Sequence, residues 1–303
     1  MSGPTATGKT ALAVKIAKKF NGELISADSR QVYRELNIGV GKDHPKNTPI
    51  HLIDLITPDQ IFSVAEFQKL ALKAIADIHH RGKLPILVGG TGLYIDSIVS
   101  PKYQTFSIKP NKFIRFFLNR LPLRILQLTL KTLNFTTFNS LNNSDRNNSY
   151  RLIRKIEIKL SKKPKIRNCE AKRSPSQTEK LEIGNFLHLS LTAPNQFIYD
   201  KIDNRVENRL KLGHIDELKY LLSQYNWNSP GLKISAYQSL RPFFQKNKSL
   251  EDCVTDWKHK EHRDARHQKT WFNSRPNLKF IDISKKNYNN KIIKYLNQWF
   301  KEK

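Results

Sequence analysis

Eight residues at the front of this 303-residue chain, Gly3-Pro4-Thr5-Ala6-Thr7-Gly8-Lys9-Thr10, fill every fixed position of a phosphate-binding loop. The two glycines let the backbone curl until successive N–H groups point at phosphate oxygens. Lys9 adds a positive charge, and the Thr10 hydroxyl is placed for a Mg²⁺ ion. Leu12, Ile16 and Phe20 follow four apart, with Ala13 and Ala17 beside them. That spacing predicts a helix whose N-terminus favours an anion. Any diphosphate suits such a loop, so its ligand is open at this point. A loop of this kind ordinarily follows a buried strand, and only Met1 and Ser2 precede Gly3. The expectation is that the natural start lies upstream; the alternative is a sheet lacking its central strand.

The first hundred residues alternate short apolar runs with helical patterns, as parallel sheets with crossover helices do. Residues 23–28, 50–54 and 85–90 read as strands. A helix lies between the last two: Ser63 and Glu66 form a capping box, Val64, Phe67, Ala71, Ile75 and Ile78 make its apolar face, and Gly82 ends it. Ligands of open α/β sheets sit beyond the carboxyl ends of strands. Asp28, Asp54 and Gly89-Gly90-Thr91-Gly92 therefore share a rim with the loop. The fold class is α/β, a P-loop NTPase-like parallel sheet flanked by helices, with a mainly helical insertion domain at 101–180. There, 113–133 reads as helix, 134–149 as a long Asn/Ser/Thr-rich loop, 150–159 as helix and 161–180 as a flexible basic segment. Residues 186–191 alternate as a strand that rejoins the core of 1–100 and 181–303. Helices are expected near 195–212, 214–224 and 250–273. On the last, His259, Arg263, Arg266 and Lys269 form a basic stripe, while Val254, Ala265 and Phe272 face inward.

Charge separates these regions. The net charge is +27, yet residues 1–100 carry 12 Lys/Arg against 9 Asp/Glu, 101–180 carry 19 against 4, and 181–303 carry 22 against 13. The excess lies outside the phosphate-loop region, as a footprint for a polyanion such as nucleic acid would. Richness in Lys, Asn and Ile is also what AT-rich coding yields. Two distant cysteines, Cys169 and Cys253, fit a reducing compartment and exclude a thiolate zinc finger within one chain. No apolar run reaches membrane-spanning length and no signal peptide is visible, so a cytoplasmic protein acting as a monomer, with no membrane partner, is expected.

Four segments, Gly3–Thr10, Ile25-Ser26-Ala27-Asp28-Ser29-Arg30-Gln31-Val32-Tyr33, His51–Asp54 and Gly89-Gly90-Thr91-Gly92-Leu93-Tyr94, resemble the tRNA dimethylallyltransferase (isopentenyltransferase) family in order and spacing. Arg151-Leu152-Ile153-Arg154-Lys155-Ile156-Glu157 resembles its mid-chain motif, and Gln268-Lys269-Thr270-Trp271-Phe272 its C-terminal signature. The resemblance implies transfer of a dimethylallyl group from dimethylallyl diphosphate to N6 of the adenosine 3′ of a tRNA anticodon. It implies that the loop holds a prenyl diphosphate and is not used for ATP hydrolysis. Lys9, Thr10, Mg²⁺ and the loop amides would stabilise the departing diphosphate, and Arg205 matches an arginine beside it. Asp28 matches the catalytic base; an exocyclic amine, its lone pair delocalised into the ring, needs one. Asp28 itself, with Ser29, Arg30, Gln31 and Thr91, would contact tRNA. Arg151, Arg154 and Lys155 in the insertion, and Arg263, Arg266 and Lys269 near the C-terminus, would grip the anticodon stem.

Some positions depart from the family pattern: Val40 within Ile38–Lys42 lacks a hydroxyl, Ala236-Tyr237 replaces a Gly-Tyr pair, and His262 and His267 replace arginines. Two other readings use the same residues. A small-molecule or nucleoside kinase would use the loop with Asp54 as metal carboxylate, but leaves Asp28–Gln31 and the basic insertion unexplained. A non-catalytic RNA-binding relic would keep the fold without turnover.

Overall fold

A computed structural model describes residues 1–42, 45, 48–100, 111–161 and 186–302. In chain order its elements are α1 (Lys9–Lys19), β1 (Gly22–Ser26), β2 (Ile50–His51), α2 (Val64–His80), β3 (Leu84–Val88), α3 (Gly92–Val99), α4 (Lys112–Leu118), α5 (Leu123–Leu133), α6 (Phe135–Asn139), α7 (Asn143–Arg146), α8 (Ser149–Leu160), β4 (Leu189–Thr192), α9 (Asn195–Lys211), α10 (His214–Gln224), α11 (Ser235–Gln238), α12 (Arg241–Phe244), α13 (Leu250–Asn273), β5 (Lys279–Asp282) and α14 (Tyr288–Lys301). They fall into two compact units, one within Met1–Ser100 and Leu181–Lys303, the other within Pro101–Lys180. No helix among the described residues is long and apolar enough to cross a membrane.

In the larger unit all strands pair in parallel, in the orders β2-β1-β3 and β4-β5. Side-chain alternation sorts β1 and β3 between two cores. Leu24, Ile86 and Val88 join Leu12, Ala13 and Ile16 of α1 and Ile292 and Leu296 of α14. Ile25, Ala27 and Leu87 turn the other way, onto Phe67 and Ala71 of α2 and Ile95 of α3. A third cluster gathers Val32, Leu36 and Val40 against α9, α10 and α13, with Tyr237 and Trp257 fully buried inside it. The capping box forms as read: Glu66 N donates to Ser63 Oγ (3.2 Å) and Ser63 N to Glu66 Oε2 (2.7 Å).

Met1 and Ser2 run between the end of β3 and β4. Ser2 N donates to Leu189 O and Leu191 N to Ser2 O, both at 2.9 Å. On the other side Gly89 N donates to Met1 O (3.2 Å) and the Met1 amine to Leu87 O. These residues link β3 to β4 for one bridge, Ser2 to Ser190. Beyond them a cleft of about 530 Å³ continues between the facing edges, lined by Phe20, Ile86, Leu187, Leu189 and Phe300.

The smaller unit corrects two expectations. The single helix of 113–133 is broken into α4 and α5, with Pro122 as N-cap of α5. Proline lacks the N–H that a continuous helix would use there. The stretch 134–149, read as loop, holds α6 and α7. Its asparagines are caps: Asn134, Asn142 and Asn148 accept the amides of Thr137, Asp145 and Arg151 and so start α6, α7 and α8. Leu126, Leu130, Leu152 and Ile156 form this unit's own core. The basic segment read as flexible, with Cys169, lies beyond Ser161 and outside the described residues.

Candidate active site

The phosphate loop takes its shape from three residues in unusual backbone conformations. Gly8, at φ +72°, caps α1, and Ala6 sits at φ +60°. Gly3, at φ +141°, passes so close to β4 that a Cβ there would fall 2.6 Å from Leu191 O. Thr7 Oγ1 donates to Pro4 O (2.8 Å), as does Lys9 Nζ (2.6 Å), which folds the ammonium back over the loop. Burial pushes the Lys9 pKa down to about 8; Asp28 works to raise it and Arg205 to lower it further. Arg205, from the middle of α9, donates to Thr5 Oγ1 (2.6 Å) and to Val40 O (3.3 Å).

Asp28 follows β1 at the carboxyl end of the sheet. Ala27 N donates to Val88 O (2.7 Å), and Thr91 N to Ala27 O (3.2 Å). The approach requires Gly89, where a Cβ would lie 2.1 Å from Ala27 O. Asp28 Oδ1 then accepts Arg30 N (2.9 Å) in a tight turn, which fixes the carboxylate beside the loop. Thr91 Oγ1 accepts Ser29 N (3.0 Å), so two residues read as tRNA contacts bind each other. Gln31 Oε1 accepts Ser26 Oγ (2.9 Å). Arg30 reaches across to α13, 2.7 Å from Asp264 and 3.7 Å from Glu261.

The C-terminal signature is an anchor for both loops. Thr5 N donates to Gln268 Oε1 (2.8 Å), while Gln268 Nε2 donates to Gly90 O (3.1 Å). Trp271 packs where a Gly92 Cβ would be, and its Nε1 donates to Asp96 (3.1 Å). Along the basic stripe, Lys269 Nζ is held by Ala193 O and Asn195, and Arg266 donates to the Tyr199 hydroxyl. His262 bonds Asp203 (2.8 Å) and stacks on Tyr199, with ring centroids 4.2 Å apart. Arg263 is exposed.

In the smaller unit Arg154 and Arg115 converge on fully buried Glu157, at 2.8 and 2.9 Å. Arg154 is thus committed to the unit's own structure, and a buried carboxylate left without it is expensive. Arg151 pairs with Asp145, and Lys155 is partly buried. Asp54, the kinase-like carboxylate, is taken by Lys42 in a tight ion pair and does not join Lys9 and Asp28.

Sequence reasoning passes over three buried ionic residues. Glu217 of α10 accepts the amides of Asn37, Ile38 and Gly39 (2.9, 2.6 and 2.8 Å) and the Tyr237 hydroxyl (2.8 Å). Burial opposes its ionisation, yet His214, these amides and Tyr237 hold its pKa at about 2. It secures the segment that departs from the family pattern at Val40. Arg209 continues the buried stripe Ile198, Ile202, Val206 of α9, and Glu261 continues Val254, Trp257 on α13. A charge at an apolar position of a helical repeat is the sequence signal that would have found both.

An IPP transferase family model matches residues 31–275. The chain is 35% identical to a tRNA dimethylallyltransferase of Roseiflexus sp. (strain RS-1), covering 98% of this chain and 96% of that one. It is 38% identical to the enzyme so named in Roseiflexus castenholzii, covering 91% and 89%. Among solved structures, the full-length tRNA isopentenylpyrophosphate transferase of Bacillus halodurans superposes with a TM-score of 0.71 at 31% identity, covering 99% of this chain and 95% of that one. A eukaryotic dimethylallyltransferase acting on tRNA shares the fold, with a TM-score of 0.81 at 24% identity and coverage of 100% and 79%.

Proposed function

Because the chain belongs to the IPP transferase family, we propose that it transfers a dimethylallyl group from dimethylallyl diphosphate to N6 of the adenosine 3′ of a tRNA anticodon. The observation that carries this reading is one carboxylate, Asp28, fixed beside a diphosphate cradle and near enough to Lys9 to act on its charge. The amine nitrogen attacks C1 of the prenyl group, the C1–O bond breaks, and the electron pair leaves on the diphosphate. Asp28 takes the proton released from N6. Lys9, Arg205 and the loop amides meet the negative charge growing on the leaving oxygens. A stacked anticodon-loop base hides its N6, so the adenosine must be extruded toward Asp28 to react.

The Thr10 hydroxyl, in the first turn of α1, makes no side-chain hydrogen bond among the described residues, which leaves it available to a cation. No cluster of three acidic or imidazole ligands occurs among those residues. Mg²⁺ commonly binds through one or two protein oxygens together with phosphate oxygens of the substrate and water, and the Thr10 hydroxyl would supply such an oxygen. When bound, the ion would neutralise charge on the diphosphate.

The test is purified protein incubated with a tRNA transcript, radiolabelled dimethylallyl diphosphate and Mg²⁺. The expected result is label on one adenosine beside the anticodon, recovered as N6-(dimethylallyl)adenosine, and loss of labelling in EDTA. ATP turnover on a small acceptor, or unlabelled tRNA, would overturn the reading.

A further inference from the structure

Arg209 and Arg205 lie one turn apart on the same face of α9. Their guanidinium groups converge on one point: a Cβ on Gly41 would meet a terminal nitrogen of each at 2.5 Å. From that point Arg205 also reaches Thr5 of the phosphate loop. Arg209 is 5% exposed, its Nε is buried without a hydrogen-bond partner, and no ion pair engages either arginine among the described residues. Glu261 is the acid felt most strongly by Arg209. That carboxylate, however, already accepts Ser235 Oγ (2.9 Å) and Trp257 Nε1 (3.3 Å) and pairs with Arg30.

A buried cation without a salt-bridge partner is costly, and a second cation beside it adds to the cost. Burial and then Arg205 push the Arg209 pKa down, while a guanidinium keeps its proton in proteins. The arrangement therefore favours a multivalent anion that touches several of these charges at once. Arg205 is the link between the two ends: it donates to Thr5 of the loop and acts on the charge of Lys9, and at Gly41 it meets Arg209. Glycine at 41, with φ +61°, leaves room for both guanidinium planes.

We propose that Arg209 is a diphosphate-recognition residue, whose fork completes with Arg205 a two-arginine clamp on the donor. The proposal rests on the donor-site reading above. It makes the buried charge on α9 a substrate-binding group, distinct from a structural counter-charge to Glu261.

The probe is inorganic pyrophosphate with Mg²⁺, titrated calorimetrically into the full chain, and tRNA binding is measured in parallel. Arg209→Gln is expected to weaken pyrophosphate about 10- to 100-fold, the worth of one or two charge-assisted hydrogen bonds. Arg209→Lys should weaken it about tenfold by losing the fork. Affinity for tRNA should stay within about twofold in both, which separates the donor's phosphates from those of the RNA backbone. A purely structural role would lower Tm in each variant but leave pyrophosphate affinity of the folded protein intact, and that result overturns the proposal. Should Arg209→Gln not fold, Arg209→Lys alone decides. A wild-type chain that ignores pyrophosphate removes the donor-site reading and this proposal with it. Wild-type binding matched by both variants removes this proposal alone.

Discussion

Asp28→Asn is expected to slow prenyl transfer by about 10²- to 10⁴-fold, the range of a general base, while the protein stays folded and binds tRNA. The asparagine keeps the shape of the side chain and can still accept Arg30 N, the 2.9 Å bond that fixes the turn. It cannot take the proton from N6. Neither Thr91 nor Ser29 can replace it, because they are hydroxyls bonded to each other's backbone or side chain. Single-turnover rates with saturating tRNA and donor isolate the chemical step from binding. A variant turning over at the wild-type rate would show that N6 loses its proton to another group. Loss of tRNA binding in step with rate would instead make Asp28 a contact for the RNA.

The parts of this site legible in the sequence are those that one segment specifies by itself. The loop Gly3–Thr10, the capping box at Ser63 and the Gly89–Gly92 turn each obey a local rule, and each forms as that rule requires. Composition misled where a residue type serves two purposes. Asparagine-rich 134–149 reads as loop, yet the same side chains initiate helices when apolar residues such as Phe138 and Leu141 can pack on a neighbour. Long-range roles stayed hidden. Gln268 has a signature position but no local reason to bond Thr5 and Gly90, which lie far away in the chain. Arg209 and Glu261 look like lapses in amphipathic helices until α9, α13 and the segment around Gly41 are brought together. The short strands β4 and β5 owe their pairing to cores assembled from distant residues, so only β4 carried enough alternation to be read.

Lys9→Met is expected to cut transfer by about 10²- to 10³-fold, as loss of one preorganised donor to a developing anion does. It also carries a pH signature. In the free protein burial holds the Lys9 pKa near 8, against an ordinary 10.5. An arriving diphosphate favours the protonated amine and raises that pKa, so above pH 8 binding draws a proton from solution. The contribution of Lys9 to donor affinity should therefore be independent of pH below 8 and weaken by up to about tenfold per pH unit above it. Phosphate oxygens, with a second pKa of about 6, are already ionised there, and the arginines keep their protons. Folding responds with the opposite sign: the unfolded chain holds this proton up to 10.5 and the folded chain releases it near 8. Stability without ligand accordingly gains from Lys9 as pH rises from 8 to 10.5. Calorimetric titrations of dimethylallyl diphosphate without tRNA from pH 7 to 9.5, in two buffers of different ionisation enthalpy, count the proton directly. Wild type should show uptake that grows above pH 8, and Lys9→Met should show none. The same slope in the variant would assign the proton to another group and detach Lys9 from the donor site.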